Sequence, residues 1–471
     1  MASHHTALIL GAGISGLAAA QLLEKENIDY RIIEARERVG GRILTDYTGL
    51  TPYDLGASWA HDTLSNPLFD EIILDECKNK GKYGMYYDDQ HPLFFSKHHG
   101  PKDFEANKVE QVVREIEKFI ELKYFEEIGK EDLSVKDIVE EYMEKQQALL
   151  TEFQKSYAPQ LLRGLELWHG IGWDKMSSKF GLVDNVGRNC LFTEGYDVVI
   201  REITKTLGAG KIMLKAPVVK IDRKKYQKEN KIEVCLKNGN VYTANYVICT
   251  VPQSVLQLHN QPEKDGFIRW EPKLPSRIID SLDNMSWGKL GKVIFEFETP
   301  WWSHHDTDRF VAISEPDITG SGVLPPTWSF PVLILNYFKS KNVPSLLCFT
   351  QGELTEYIEQ NPDKAWEHMH PILERLSLHS KIPAPKRTIT TDWTLSPYSS
   401  GSYGACAPGN DPTDLVIQLS RGLDNIRFAG EHTILDGSGA VHGAWMSGRR
   451  EAEVILSKLG IEGYHEEDHV W

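Results

Sequence analysis

Thr6-Ala7-Leu8-Ile9-Leu10-Gly11-Ala12-Gly13-Ile14-Ser15-Gly16-Leu17 opens the chain and decides its fold. Residues 6–10 form an apolar run of strand length, Gly11 to Gly16 spell a GxGxxG turn, and residues 17–25 continue as a helix. A second apolar run at 30–33 ends on Glu34, 18 residues after the third glycine. This is the sequence of a βαβ unit that binds a dinucleotide. Gly11 permits the tight turn, Gly13 lets backbone approach a pyrophosphate, and Gly16 lets helix and strand pack closely. The helix N-terminus offers free N–H groups to phosphate, and Glu34 is placed to accept from ribose hydroxyls.

At 471 residues the chain exceeds the size at which one core stops growing, so two domains are expected. A net charge of -15 excludes nucleic acid as a partner, since no basic field is present to neutralise phosphates; it is compatible with a cationic ligand. The six cysteines (77, 190, 235, 249, 348 and 406) form no CxxC pair, so neither a disulfide framework nor a metal site is expected, and packed thiols point to a reducing compartment. No apolar run approaches a membrane span, no leader is expected ahead of the first strand, and the end, 465–471, does not read as a peroxisomal address. The cytoplasm is the expected location.

Further along, Asn66-Pro67 starts a helix, and the aromatic stretch 85–95 suggests a short strand pair. Residues 103–168 carry apolar side chains at helical spacing, among them Val109, Val112, Val113, Ile116 and Ile120, and predict a helical lobe. Residues 212–221 and 231–237 read as strands, and Asn238-Gly239 predicts a type I′ hairpin before 241–244. Residues 246–252 form a buried strand running into a loop. Residues 289–298, Trp301-Trp302, 332–337 and 346–350 make a second β-rich piece with a helix at 363–376. Residues 425–429 are the last buried strand, and a helix at 443–459 follows a glycine-rich turn.

Glu34-Ala35-Arg36-Glu37-Arg38-Val39-Gly40-Gly41-Arg42 resembles the second glycine signature of FAD enzymes in the amine oxidase superfamily. The resemblance extends through Gly56-Ala57-Ser58-Trp59-Ala60-His61-Asp62, Leu165-Glu166-Leu167-Trp168-His169-Gly170, Leu290-Gly291-Lys292-Val293-Ile294-Phe295, residues 249–252, Phe428-Ala429-Gly430-Glu431-His432-Thr433 and Gly443-Ala444-Trp445-Met446-Ser447-Gly448. It is strongest towards fungal polyamine (spermine) oxidases; the yeast-type corticosteroid-binding proteins share the same sequence family.

The fold this implies is α/β: a discontinuous Rossmann-like FAD-binding domain (1–85, 188–285 and 395–471) and an α+β substrate-binding domain (86–187 and 286–394) with a mixed sheet and a helical lobe. The implied cofactor contacts are Gly11, Gly13, Ser15, Gly16, Glu34, Ala35, Arg36, Gly40, Gly41, Arg42, Gly56, Ala57, Ser58, Trp59, Val219, Trp393, Tyr398, Gly430, Glu431, Ala440 and Val441. No metal is expected. Ser402 stands where monoamine oxidases carry the cysteine that bonds the flavin, so attachment is expected to be non-covalent.

Lys292, in an otherwise apolar alternating strand, is a costly place for an ammonium unless it has a role or a partner. By resemblance it holds a water against flavin N5. His61 titrates near neutrality and is a candidate for handling the proton of the substrate nitrogen. By resemblance Trp168 and Tyr403 wall the substrate site and Asn189 faces it, while Asp89, Asp88 and Asp62 are candidates to engage remote ammonium groups. His442 stands where fungal polyamine oxidases have a tyrosine, and Ala440 where monoamine oxidases have an aromatic ring.

The implied activity is oxidation of a C–N bond of spermine or an acetylated polyamine with O2, giving a shorter polyamine, an aminoaldehyde and H2O2. The protein is expected to act as a monomer or weak homodimer. Alternatives are a flavoprotein that holds a hydrophobic molecule such as a corticosteroid, or an oxidase of another amine.

Overall fold

The computed structural model describes residues 3–125, 129–182, 185–318, 325–378 and 381–464. The tail at 465–471 lies outside them.

The first strand, Ser3–Leu10, begins three residues earlier than the sequence predicts, and the helix Ile14–Lys25 begins at the second glycine's successor. The strand pairs in parallel with both Tyr30–Ile33 and Val241–Cys249, and Val241–Cys249 pairs in parallel with Ile426–Phe428. Ala7 and Ile9 face one buried cluster while Leu8 and Leu10 face another, which is why the strand reads as an unbroken apolar run rather than an alternating one. The register sets Leu10 beside Ile33 and Cys249, and Cys249 beside Phe428. The segments that follow, at Gly11, Glu34, Thr250 and Ala429, therefore leave from one edge of the sheet. That carboxyl edge is where open parallel sheets bind ligands.

The strands Val218–Asp222 and Ile232–Leu236 extend this sheet as an antiparallel hairpin, and Ile212–Met213 adds in parallel to Tyr30–Ile33. Lys215, at φ 55, separates the two stretches that the sequence reads as one strand. The hairpin from Leu236 to Val241 is present, but its turn is not type I′. Gly239 alone takes positive φ (84°), while the Asn238 side chain accepts from the Asn240 amide at 3.0 Å. A type I′ turn requires left-handed backbone at both central residues.

The second sheet has six strands in the order Arg387–Thr390, Leu290–Glu296, Ser345–Gln351, Val332–Asn336, Arg309–Ala312, Leu93–Phe95. In Leu290–Glu296, Val293 and Phe295 pack into one cluster and Ile294 into another that contains Trp59, Leu167 and Phe349. Strand alternation puts Lys292 on the Ile294 face. Trp301 and Trp302 sit in a turn, not a strand. Met85–Tyr86 and Leu93–Phe95 do not pair with each other: the first pairs with Cys190–Phe192 and the second with Arg309–Ala312.

The helical lobe consists of Ala106–Phe125, Val135–Gln146 and Glu152–Leu162. Val109, Val112, Ile116 and Ile120 are buried as the spacing predicts, with Val113 at the rim of the stripe. Ser134 caps the second helix and Thr151 with Gln154 forms a capping box on the third.

Candidate active site

At the carboxyl edge of the first sheet the glycines behave as the turn requires. Gly11 has φ 111°, and a Cβ there would lie 2.3 Å from Thr250 Oγ1; one on Gly16 would lie 2.1 Å from the Gly11 carbonyl oxygen. Gly13 is different. A Cβ on it would meet nothing nearer than the Gly41 α-carbon at 3.9 Å, and Gly13 lines a cavity. The backbone there is bare on the side from which a pyrophosphate would approach. The helix Ile14–Lys25 has no side-chain cap, and Ile14 and Ser15 line the same cavity, so its N-terminus is open to an anion.

Glu34 is buried, with one oxygen accepting from the Ala12 amide at 2.7 Å and the other from the Arg36 amide at 2.8 Å. These bonds aim the carboxylate at the cavity, and each oxygen retains a lone pair for a ribose hydroxyl. Arg36 donates to Ser396 Oγ at 2.8 Å and lies 5.6 Å from the centre of the Tyr398 ring. Arg42, which lines the cavity, donates to Glu431 at 2.9 Å and to the Ser402 carbonyl at 2.6 Å. Ala35, Gly40, Gly41, Gly56, Ala57, Ser58, Trp59, Trp393, Gly430, Ala440 and Val441 also line the cavity. Gly16 is structural by its close packing. Val219 falls at a bulge between Val218 and Lys220, and its neighbours Val218 and Ala216 line the cavity in its place.

Lys292, on the second sheet, reaches the segment Asp54 to Ser58. Its Nζ donates to the Asp54 carbonyl at 2.7 Å, the Gly56 carbonyl at 2.5 Å and Ser58 Oγ at 2.7 Å, and it lies 5.1 Å from the centre of the Phe349 ring. Three acceptors account for the three protons of an ammonium. Burial holds this group far below the ordinary lysine range, against the pull of the Asp54 carboxylate; the same burial pushes Asp54 upward. A buried amine with a strongly lowered titration beside a cavity is a candidate functional group.

His61 lines the cavity with its Nδ1 bonded to Asn189 Oδ1 at 3.0 Å. Because the amide oxygen can only accept, Nδ1 carries the proton and Nε2 is left as an acceptor. Burial lowers the imidazole below its ordinary value, partly offset by Asn189. Trp168 and Tyr403 both line the cavity, and the Tyr403 hydroxyl donates to the Trp168 carbonyl.

Other expected substrate contacts lie elsewhere. Asp88 is buried, bidentate to Arg309 at 2.9 and 2.6 Å, and accepts from Trp59 Nε1 at 2.9 Å. Asp89 forms a bidentate pair with Arg188. His442 is buried with Nε2 3.7 Å from Asp62, outside the cavity lining. Asn189 acts on His61. Phe349 and Leu167 were not evident from the sequence as lining residues: Phe349 faces Lys292 through the antiparallel pairing of their strands, a register no local signal reveals.

Residues 14–456 match the family described as flavin containing amine oxidoreductase. The chain is 38% identical to the corticosteroid-binding protein of Candida albicans, covering 97% of each chain. It is 29% identical to polyamine oxidase 5 of Oryza sativa subsp. japonica, over 98% of this chain and 90% of that one. A solved putrescine oxidase double mutant with redesigned cofactor binding shares the fold at a TM-score of 0.69 and 19% identity, covering 97% of this chain and all of that one. FAD is the implied cofactor, and the bare Gly13 backbone, the uncapped helix and the aimed Glu34 fit its dinucleotide half. The coverage by the family match and by the Candida relative establishes that the chain belongs to the flavin-containing amine oxidoreductases.

Proposed function

We propose that the protein is an FAD-dependent polyamine oxidase acting in the cytoplasm. In the overall reaction a secondary amine, with O2 and water, gives an aldehyde, a primary amine and hydrogen peroxide, the C–N bond being the one broken. Bound FAD supplies the acceptor for the hydride and passes the electron pair to oxygen. The chain's own residues bind, orient and move protons. Trp168 and Tyr403 offer aromatic faces that attract the cationic parts of an alkylamine. His61, with Nε2 as acceptor, takes the proton that must leave the reacting nitrogen before its lone pair is available.

The observation that carries this reading is Lys292, a buried amine tied to Asp54, Gly56 and Ser58 beside an aromatic-walled cavity. The cytoplasmic assignment rests on six free cysteines.

A second reading is a flavoprotein that holds a hydrophobic ligand with little turnover. The 38% relative's description as a corticosteroid-binding protein favours it. Anaerobic mixing of the holoprotein with spermine, N1-acetylspermine, spermidine and benzylamine separates the two. Bleaching by a polyamine, with peroxide released in air, is the expected result. A flavin that stays oxidised with all four amines would refute the oxidase reading.

A further inference from the structure

The helix Gly352–Gln360 buries Leu354, Thr355, Ile358 and Glu359. Leu354 and Ile358 join the apolar cluster of Val293 and Phe295, as a pair one turn apart on a core-facing stripe should. Thr355 and Glu359 are a polar pair at the same spacing. Glu359 is buried and accepts four hydrogen bonds, at one oxygen from the Thr391 hydroxyl at 2.7 Å and the Trp393 amide at 3.0 Å, at the other from the Thr394 amide at 2.7 Å and hydroxyl at 2.6 Å. Among the described residues no lysine or arginine pairs with it. A buried carboxylate without a cation is costly unless its lone pairs are filled in this way.

Two of these donors belong to arms that reach the cavity. The Thr391 hydroxyl, while donating to Glu359, accepts from the Lys292 amide at 3.0 Å, and the Thr391 amide donates to the Lys292 carbonyl at 3.1 Å. Thr391 thus holds the lysine's backbone by both its polar groups. Trp393, whose amide Glu359 also binds, lines the cavity and donates through its indole Nε1 to the Leu55 carbonyl at 2.8 Å. The Lys292 side chain is bonded to Asp54, Gly56 and Ser58. The two arms therefore grip one wall of the cavity, residues 54–58. There is no slack between them: Gly291 is enclosed by Thr355 and Thr391, since a Cβ on it would lie 2.8 Å from Thr355 Cγ2 and 2.9 Å from Thr391 Oγ1, and one on Gly56 would lie 3.3 Å from Trp393 Cζ2.

We propose that Glu359 is a positioning residue for Lys292. Through Thr391 it fixes the backbone from which the lysine reaches the cavity, and through the Trp393 amide it fixes the second arm on the same wall. Glu359 does not itself line the cavity, so it acts through these partners. Both oxygens are needed because each accepts twice. A glutamine of the same shape presents its NH2 to one of the two backbone amides whichever way it is turned, and a backbone N–H cannot rotate away. The inference rests on the oxidase reading for the rate it predicts, and on bound FAD for the potential.

The test uses the holoprotein with Glu359→Gln, Thr391→Val and Thr391→Ser, the first two also combined with Lys292→Met. Thr391→Val keeps the shape and removes only the hydroxyl that links Glu359 to the Lys292 amide. Each protein is read for the rate of anaerobic bleaching by saturating spermine, and for the reduction potential of its flavin by equilibration with a reference dye. Glu359→Gln and Thr391→Val should each slow bleaching about tenfold, within the cost of a small misplacement, and shift the potential in the direction that Lys292→Met shifts it. In the Lys292→Met background neither should have a further effect. Thr391→Ser, which keeps the hydroxyl, should recover the rate. Equal losses in both backgrounds would show that Glu359 only holds the fold, and would overturn the proposal. So would native values in folded Glu359→Gln and Thr391→Val, or a Lys292→Met protein that matches the native one in both readouts. If Glu359→Gln loses its flavin, the Thr391 variants decide. If none of the four amines bleaches the native flavin, the oxidase reading fails and the potentials alone decide this one.

Discussion

The side-chain nitrogen of Lys292 lies 2.7 Å from the hydroxyl oxygen of Ser58, a buried residue that also lines the cavity. Ser58 is the one side chain among the three acceptors of the ammonium; the other two are backbone carbonyls that substitution cannot remove. A hydroxyl can also donate to a neutral amine, but the bond to the charged form is the stronger, so Ser58 favours the ammonium. Ser58→Ala should lower the lysine's titration by about one pH unit, the equivalent of one charge-assisted hydrogen bond. The pH profile of anaerobic flavin reduction reports it, and Lys292→Met should erase that inflection.

The same lysine makes a statement about stability. Its folded value lies below its unfolded one, so between the two the unfolded chain binds the additional proton. This contribution to stability therefore rises with pH from the folded value up to about 10.4. Lys341, whose titration burial also lowers to about 8, adds a rise of the same sign. Denaturant melts should therefore show the stability difference between the native protein and Lys292→Met changing in favour of the native protein as pH rises across that window.

Asn189 and His61 form one unit through the 3.0 Å bond between them. Asn189→Leu, which frees the ring to rotate and to change tautomer, should slow flavin reduction about tenfold. His61→Ala should slow it about a hundredfold, the usual contribution of a positioned acid or base. The double variant should be no slower than His61→Ala alone. Additive losses would mean that Asn189 acts on the substrate directly.

Asp88 and Asp89 are adjacent in sequence and opposite in consequence. Asp88→Ala leaves the mostly buried Arg309 guanidinium and the Trp59 indole N–H unpaired, and should cost about 3–5 kcal/mol in a denaturant melt. Asp89 pairs with Arg188 in partial contact with solvent, and Asp89→Ala should change stability by less than about 1 kcal/mol. A tenfold rise in KM for spermine in Asp89→Ala would restore it as an ammonium anchor.

Gly448, on the helix Val441–Lys458, is where that helix meets the helix Ile14–Lys25: a Cβ would lie 2.0 Å from the Ser15 carbonyl oxygen. Both partners are backbone, so neither can swing aside. Gly448→Ala should force the helices apart, lower the melting temperature and reduce the flavin retained per chain on purification. Gly164→Ala, where a Cβ meets nothing within 4 Å, should leave both within error.

The sequence by itself determined the features written in consecutive residues. The strand, GxGxxG turn, helix, second strand and Glu34 are contiguous, and so are the helical stripe from Val109 to Ile120 and the place of the hairpin at Gly239. Lys292 was legible too, because a cation in an alternating apolar strand breaks the pattern around it. Only the tertiary structure decided what each polar side chain faces. The Asp88 carboxylate is neutralised by an arginine 221 positions away, and Lys292 finds acceptors more than 230 positions earlier. His442 turns to Asp62, and the bulge at Val219 passes the lining role to Val218. Local periodicity sets which face of an element is apolar. The register between distant strands sets which charges meet, and in a low-dielectric interior that meeting decides whether an ion is anchored or free.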